Sequence, residues 1–406
     1  MVRDPSDRGR SRDVANAVPE IARPQGLVAR KQRSFPCTAN GICVRCVVCS
    51  ENAFQRLIDP QPDRCIASDL RIVLSPLDKQ QCNTCGAICR RTTGGVANLF
   101  EANYDLYAHE PGRIEEARRQ AGYASWLASV ISVPVSCFEA GSGNGSLLLA
   151  LREHWPKTAM SGVEPAEGAS AAARRAGLDV TTGYLQPQEG AAPRTELAIA
   201  INVIEHTADP LAFLRALASH ADRVAIVCPD ATLPNSEVLF GDHLHSLRPD
   251  HMAALFAAAG LQVERSEPAP KELGYFQIVV GRGTSALQTH AAWPSSDDAA
   301  TYLAAWRSLD GALIERIEER DVAAFGAGEA AGLLRAYAPL AWSHVTRCAV
   351  DAPDFDRFGE LPVVDARALE PSAILLAVRP SVQRALEAKL RSLGHRVVRW
   401  DDLIPR

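Results

Sequence analysis

Three groups of residues in this 406-residue chain have the types and spacing to do chemistry. The first is a glycine turn, Glu139-Ala140-Gly141-Ser142-Gly143-Asn144-Gly145. Glycines at alternate positions let the backbone turn sharply and approach a ligand without Cβ interference. The alternation differs from the G-x-G-x-x-G dinucleotide form. Glu164 falls 23 positions after Gly141. A carboxylate at the tip of a second strand accepts hydrogen bonds from both hydroxyls of a ribose; the plainer role is a carboxylate favoured at the N-terminus of the next helix.

The second group is Cys46-x-x-Cys49 and Cys82-x-x-Cys85, separated by 32 residues. Two such knuckles deliver four thiolates to one tetrahedral Zn2+ and leave no open coordination position, so the metal is structural. So small a segment buries little core, and the metal is expected to supply folding energy. Cys43 extends the first pair to an iron–sulfur-like spacing, and Cys37 and Cys89 are also at hand. Whether any of these three joins the site, or is a small buried hydrophobe, stays open.

The third group is histidine. His243 and His245 lie two apart, on one face of an extended segment, and suit a general base or a contact to a substrate oxygen. Asp242 is placed to orient one of them. His206 follows Glu205 just beyond an apolar run, where the pair either does acid–base work or fixes a loop. Tyr107 sits in an aromatic connector that covers a ligand or fills a domain seam.

These groups need elements to hold them. The apolar stretch ending at Ala140 reads as a buried strand, and residues 146–155 have helical spacing. Strand and helix signals then alternate to about residue 282, the pattern of an open, mostly parallel α/β sheet. In the segment 196–201 the residues after Glu196 form a continuous apolar run, as a strand buried on both faces should. Asn202, Glu205 and His206 follow its carboxyl end, where such sheets bind ligands.

The acidic-x-G-x-G-x-G turn with Glu164 resembles motif I and the second-strand acid of the class I S-adenosylmethionine (SAM) methyltransferases. The run Asn202-Val203-Ile204-Glu205-His206 resembles their segment after the fourth strand. The resemblance implies SAM held by Glu139, Gly141, Gly143, Gly145, Glu164 and Asn202. Across residues 43–406 the chain is similar to three-part sugar C-methyltransferases, which carry an N-terminal zinc domain, a central SAM domain and a C-terminal Rossmann-like domain. That likeness implies a nucleotide-linked deoxy-keto-sugar as acceptor; removing a proton beside its ketone needs a base, for which His243 or His245 is the first choice, with His206 or Tyr107 as partner. The family's Y-H-E-H-like run is replaced by Asp242-His243-Leu244-His245, which leaves C- and O-methylation both open.

Composition sets the outer bounds. The length suggests two or three domains. The expected division is a disordered lead (1–35), a zinc-binding domain (36–92), a SAM domain (93–285), a linking helix (286–320) and a Rossmann-like domain (321–406). A net charge of −5 gives no reason to expect nucleic acid. No apolar run approaches the ~20 residues of a membrane span. Eight of the eleven cysteines lie between Cys37 and Cys89 with no export signal ahead of them, so reduced thiols and a cytoplasmic location are expected. Oligomeric state is not legible. Two rivals stand beside small-molecule methylation: a nicotinamide oxidoreductase using the Gly326/Gly328/Gly332 turn, and a zinc-ribbon methyltransferase of macromolecules.

Overall fold

The computed structural model describes residues 45–92, 96, 114–188, 193–283, 293 and 298–405. The lead at 1–35, Cys37, Cys43 and the aromatic connector with Tyr107 lie outside the described residues. Residues 35–406 form one unit.

Five short strands come first: β1 (Phe54–Arg56), β2 (Cys65–Ile66), β3 (Ile72–Val73), β4 (Lys79–Cys82) and β5 (Ile88–Arg90). Then follow α1 (Ile114–Val130), β6 (Ser136–Ala140), α2 (Ser146–His154), β7 (Ala159–Glu164), α3 (Glu167–Arg175), β8 (Asp179–Thr182), β9 (Thr195–Ile201), α4 (Pro210–His220) and β10 (Ala221–Pro229). A long excursion holds β11 (His245–Ser246) before α5 (Pro249–Ala258), β12 (Leu261–Pro268) and β13 (Phe276–Gly283).

The central sheet has seven strands in the order β12-β13-β10-β9-β6-β7-β8, all parallel except β13. The chain runs outward from β6 through β7 to β8, then crosses back to β9. The crevice at the carboxyl ends of β6 and β9 is therefore the topological switch point, where open α/β sheets bind ligands. Strand β9 explains itself from sequence: Leu197 and Ile199 pack on one face with Tyr123, Leu148 and Leu151, while Ala198 and Ala200 pack on the other with Leu214 and Leu255. Helix α4 starts where Asp209 accepts from the amide of Ala212 at 2.9 Å with Pro210 in the first turn. The strand into the glycine turn is shorter than the sequence suggests, because Val133 and Val135 are exposed and precede β6.

The C-terminal elements are α6 (Asp298–Ile314), β14 (Val322–Phe325), α7 (Glu329–Tyr337), α8 (Pro339–Trp342), β15 (Val345–Val350), β16 (Arg357–Phe358), β17 (Leu361–Asp365), β18 (Ala373–Leu376), α9 (Pro380–Ser392) and β19 (Arg396–Val398). They build a six-stranded mixed sheet in the order β16-β17-β15-β14-β18-β19.

Two features of the N-terminal segment depart from a free-standing ribbon. Its main sheet has the order β1-β4-β5-β11, so the fourth strand comes from the excursion after β10, with His245 opposite Cys89. Its apolar residues are also not starved of core. Leu57, Ile66, Leu70, Leu77 and Ile88 join one hydrophobic cluster with Leu303, Trp306, Leu334 and Tyr337 of the C-terminal part. The expectation that a metal must replace a missing core is corrected: helices α6 and α7 provide that core.

Candidate active site

The glycine turn leaves β6 at the switch point. Gly141, Gly143 and Gly145 all have positive φ, at 76°, 53° and 81°. A Cβ on Gly145 would lie 2.2 Å from Leu178, so this glycine serves helix packing. A Cβ on Gly143 would meet nothing within 4 Å, so this is the face open to a ligand. Asn202, at the end of β9, is one of few non-glycine residues with positive φ, at 54°. Such strain persists where surrounding structure holds it, and it clusters at ligand sites.

Several polar atoms around this crevice are buried without partners: one carboxylate oxygen of Glu139, the Ser142 hydroxyl and the Asn202 amide oxygen. Buried polar groups are normally satisfied, so a group of orphans at one sheet edge points to a polar ligand. Burial pushes the Glu139 carboxyl up to about 8, and nearby Glu164 adds to the shift. Glu164 accepts hydrogen bonds from the amides of Gly143 and Ala166, each at 2.8 Å. Burial raises its pKa while those two bonds oppose the rise. Glu139, Gly143, Glu164 and Asn202 thus lie at or beside the carboxyl ends of β6, β7 and β9, and the acids, the open glycine and the orphaned acceptors fit a cationic, hydroxyl-bearing nucleoside such as SAM.

The comparisons agree with that geometry. Residues 111–266 match the family described as methyltransferase domain. Residues 111–266 are thus similar to a methyltransferase domain. A comparison with curated protein sequences finds no match. Among solved structures, the chain resembles the mitomycin 7-O-methyltransferase MmcR, with 19% identity, a TM-score of 0.37 and coverage of 45% of this chain and 57% of that one. It also resembles the magnesium protoporphyrin IX methyltransferase ChlM from Synechocystis PCC 6803, with 18% identity, a TM-score of 0.34 and coverage of 45% and 88%. A third is the O-methyltransferase NcsB1 from neocarzinostatin biosynthesis, with 18% identity, a TM-score of 0.36 and coverage of 44% and 60%. The chain thus spans under two thirds of the length of MmcR and NcsB1.

Beside the methyltransferase crevice, the excursion after β10 brings three histidines together with buried charge. His206 donates from Nδ1 to the main-chain carbonyl of Asp242 at 2.9 Å. Its ring lies edge-on to that of His243, with centroids 4.8 Å apart. His243 donates from Nδ1 to Glu237 at 3.3 Å, and burial lowers its pKa well below the usual imidazole value. His245 is buried, and neither ring nitrogen makes a hydrogen bond of ordinary geometry; burial lowers it to about 4 against a weaker opposing pull from the backbone of Thr207 and Ala208.

The expectation that Asp242 orients His243 or His245 is corrected. Its carboxylate is taken up by Ser68, accepting from the amide at 2.9 Å and the hydroxyl at 2.7 Å. Glu237 is the partner sequence reasoning missed. Asn235, which accepts from the Glu237 amide at 3.0 Å, starts the 3-10 turn that presents it. Lys79 reaches in from β4, fully buried, and its ammonium donates to the main-chain carbonyl of His243. Burial lowers its pKa to about 8, against the pull of Glu237.

Cys46, Cys49, Cys82 and Cys85 converge with their sulfurs within 4.8 Å of one another. The Cys46–Cys85 and Cys49–Cys82 separations are both 3.5 Å. Sulfurs around a tetrahedral zinc with bonds of about 2.3 Å lie about 3.8 Å apart, so the donor set and size fit Zn2+. The hydrogen bond between Cys46 and Cys85 draws the first thiol down and pushes the second up. Cys89 stands outside the tetrad, in β5, where Gln80 donates to its sulfur at 3.6 Å. Behind the tetrad, Arg248 and His251 both donate to the carbonyl of Cys85, at 3.0 and 2.8 Å.

The glycine turn of the C-terminal sheet has a different character. A Cβ on Gly326 would stand 2.3 Å from the carbonyl oxygen of Ala377, so this glycine serves close packing. Glu329 opens α7, where its carboxylate accepts from Tyr275 at 3.3 Å and from Ser236. An acid at that helix start opposes the pyrophosphate that a dinucleotide would bring there.

Proposed function

We propose that this methyltransferase acts on a small molecule, and that its acceptor is a nucleotide-linked deoxy-keto-sugar methylated at carbon with His245 as base. What supports this reading is the buried histidine group formed by the loop after β9 and the excursion after β10, the latter paired with the N-terminal module through β11. We assign residues 36–92 to the zinc module, 93–285 to methyl transfer, 286–320 to the link and 321–406 to the Rossmann-like module. Glu139, Gly141, Gly143, Gly145, Glu164 and Asn202 hold the cofactor, and Cys46, Cys49, Cys82 and Cys85 hold Zn2+.

SAM supplies a methyl group on a sulfonium, a leaving group good enough for in-line displacement. The chain must align the acceptor, exclude water and take up a proton. His245 suits the last task because neither ring nitrogen is held in a hydrogen bond of ordinary geometry. Its imidazole is neutral above about pH 4. At a carbon beside a ketone, the C–H proton passes to His245 and the electron pair moves through the enolate to the methyl carbon. The S–CH3 bond then breaks with its electrons returning to sulfur.

The test is incubation with nucleotide-sugar pools and isotope-labelled SAM, read by mass spectrometry. One pool member should gain one methyl on carbon. His245→Gln should lower kcat by about 10²–10⁴-fold with S-adenosylhomocysteine affinity retained. Label on oxygen would favour O-methylation, and label on protein or RNA alone would overturn the small-molecule reading.

A further inference from the structure

The histidine group contains more than a base requires. One side-chain ligand atom from each of Glu205, His206 and His243 lies within 4.8 Å of the other two. Cis ligands around a first-row divalent ion with bonds of about 2.1 Å lie about 3 Å apart, so modest side-chain rotations close the set on an ion. Both imidazoles carry the outer hydrogen bond that fixes a ligating histidine. His206 Nδ1 donates to the carbonyl of Asp242 at 2.9 Å, and His243 Nδ1 donates to the carboxylate of Glu237 at 3.3 Å. With the proton on Nδ1 in each, Nε2 carries the lone pair that a metal takes. Glu205 is 2% exposed, and one of its carboxylate oxygens has no partner.

Charge points the same way. Glu205 lies near two further buried carboxylates, Glu237 and Asp242, both of which also act on the buried ammonium of Lys79.

We propose that Glu205, His206 and His243 form a second metal site, distinct from the four-cysteine tetrad, for a divalent first-row transition ion with open coordination positions. Two imidazoles and one carboxylate suit such an ion better than calcium or magnesium, which prefer all-oxygen shells. Resting on the acceptor reading above, the open positions take the carbonyl oxygen of the keto-sugar, where charge develops as His245 removes the neighbouring proton. The division of labour follows the hydrogen bonds: the two oriented histidines ligate, and His245 takes the proton.

The experiment titrates zinc-loaded full-length protein with Mn2+ and follows the free ion by electron paramagnetic resonance. Expected is one Mn2+ bound per chain, with affinity falling at least ten-fold in Glu205→Gln and in His243→Asn. Calorimetry with S-adenosylhomocysteine runs in parallel, and its retention by both variants shows that they are folded. Binding that is weak, without a fixed stoichiometry and unchanged in Glu205→Gln overturns the site. So does stoichiometric binding that persists in His243→Asn. A bound ion without S-adenosylhomocysteine binding would keep the site and remove its role in methyl transfer; S-adenosylhomocysteine binding without the ion would overturn the site and leave the methyl-transfer reading standing.

Discussion

Glu139 bears the clearest trade at the scale of a residue. Its carboxyl is buried beside Glu164 and rises from the usual 4.5 to about 8. A folded-state pKa above the unfolded one means the native state holds a proton that the unfolded chain releases. The contribution to stability is therefore full below about pH 4.5 and is lost as pH climbs through about 8. Glu139→Gln should stabilise the ligand-free protein at pH 8 by roughly 2–4 kcal/mol, read from denaturant midpoints, while weakening the cofactor. In the parent protein the cationic cofactor favours the ionised carboxylate. S-adenosylmethionine affinity should rise between pH 6.5 and 8.5 with proton release seen in buffers of different ionisation enthalpy. A flat profile would remove Glu139 from the cofactor site. His245, lowered by burial, predicts no inflection near pH 6.5 from the base in kcat.

At the scale of elements, β11 ties two modules together. His245 pairs with Cys89 of β5, and α5 follows directly, its Arg248 and His251 holding the Cys85 carbonyl beside the tetrad. The tetrad thus braces the strand that carries the proposed base. Removing zinc with a chelator should lower methyl transfer at least ten-fold while S-adenosylhomocysteine still binds, because the glycine turn belongs to β6. Equal loss of both would place the metal's role in global folding.

This arrangement marks the limit of what the sequence could reveal. The glycine turn, β9 and the cysteine knuckles were legible because each is set by local spacing. The strand β11 was not, since two residues pair with a module more than 150 positions earlier. Glu237 was hidden for the same reason: its link to His243 depends on how the excursion folds back. Asp242, adjacent in sequence to His243, looked the better partner and instead faces Ser68.

For the molecule as a whole, Tyr337 joins three regions. Its hydroxyl donates to the carbonyl of Leu239 and accepts from the amide of Ile66 at 3.4 Å, and Gln61 donates to its carbonyl at 3.1 Å. One apolar cluster runs from Leu57 through Trp306 to Trp400. The N-terminal module and the C-terminal sheet should therefore unfold together. Tyr337→Phe should cost about 1–3 kcal/mol, since it strands two buried backbone groups, and it should preserve a single transition between those parts in calorimetric scans. Two separated transitions would show that the shared core is not cooperative.

The central claim is that the crevice at β6 and β9 holds the adenosyl cofactor. Isothermal titration of the intact, zinc-loaded protein with S-adenosylhomocysteine tests it most directly. One molecule should bind per chain, with affinity falling at least ten-fold in Glu164→Ala and in Gly143→Val. Absence of binding by the parent protein, or equal binding by both variants, would contradict the account.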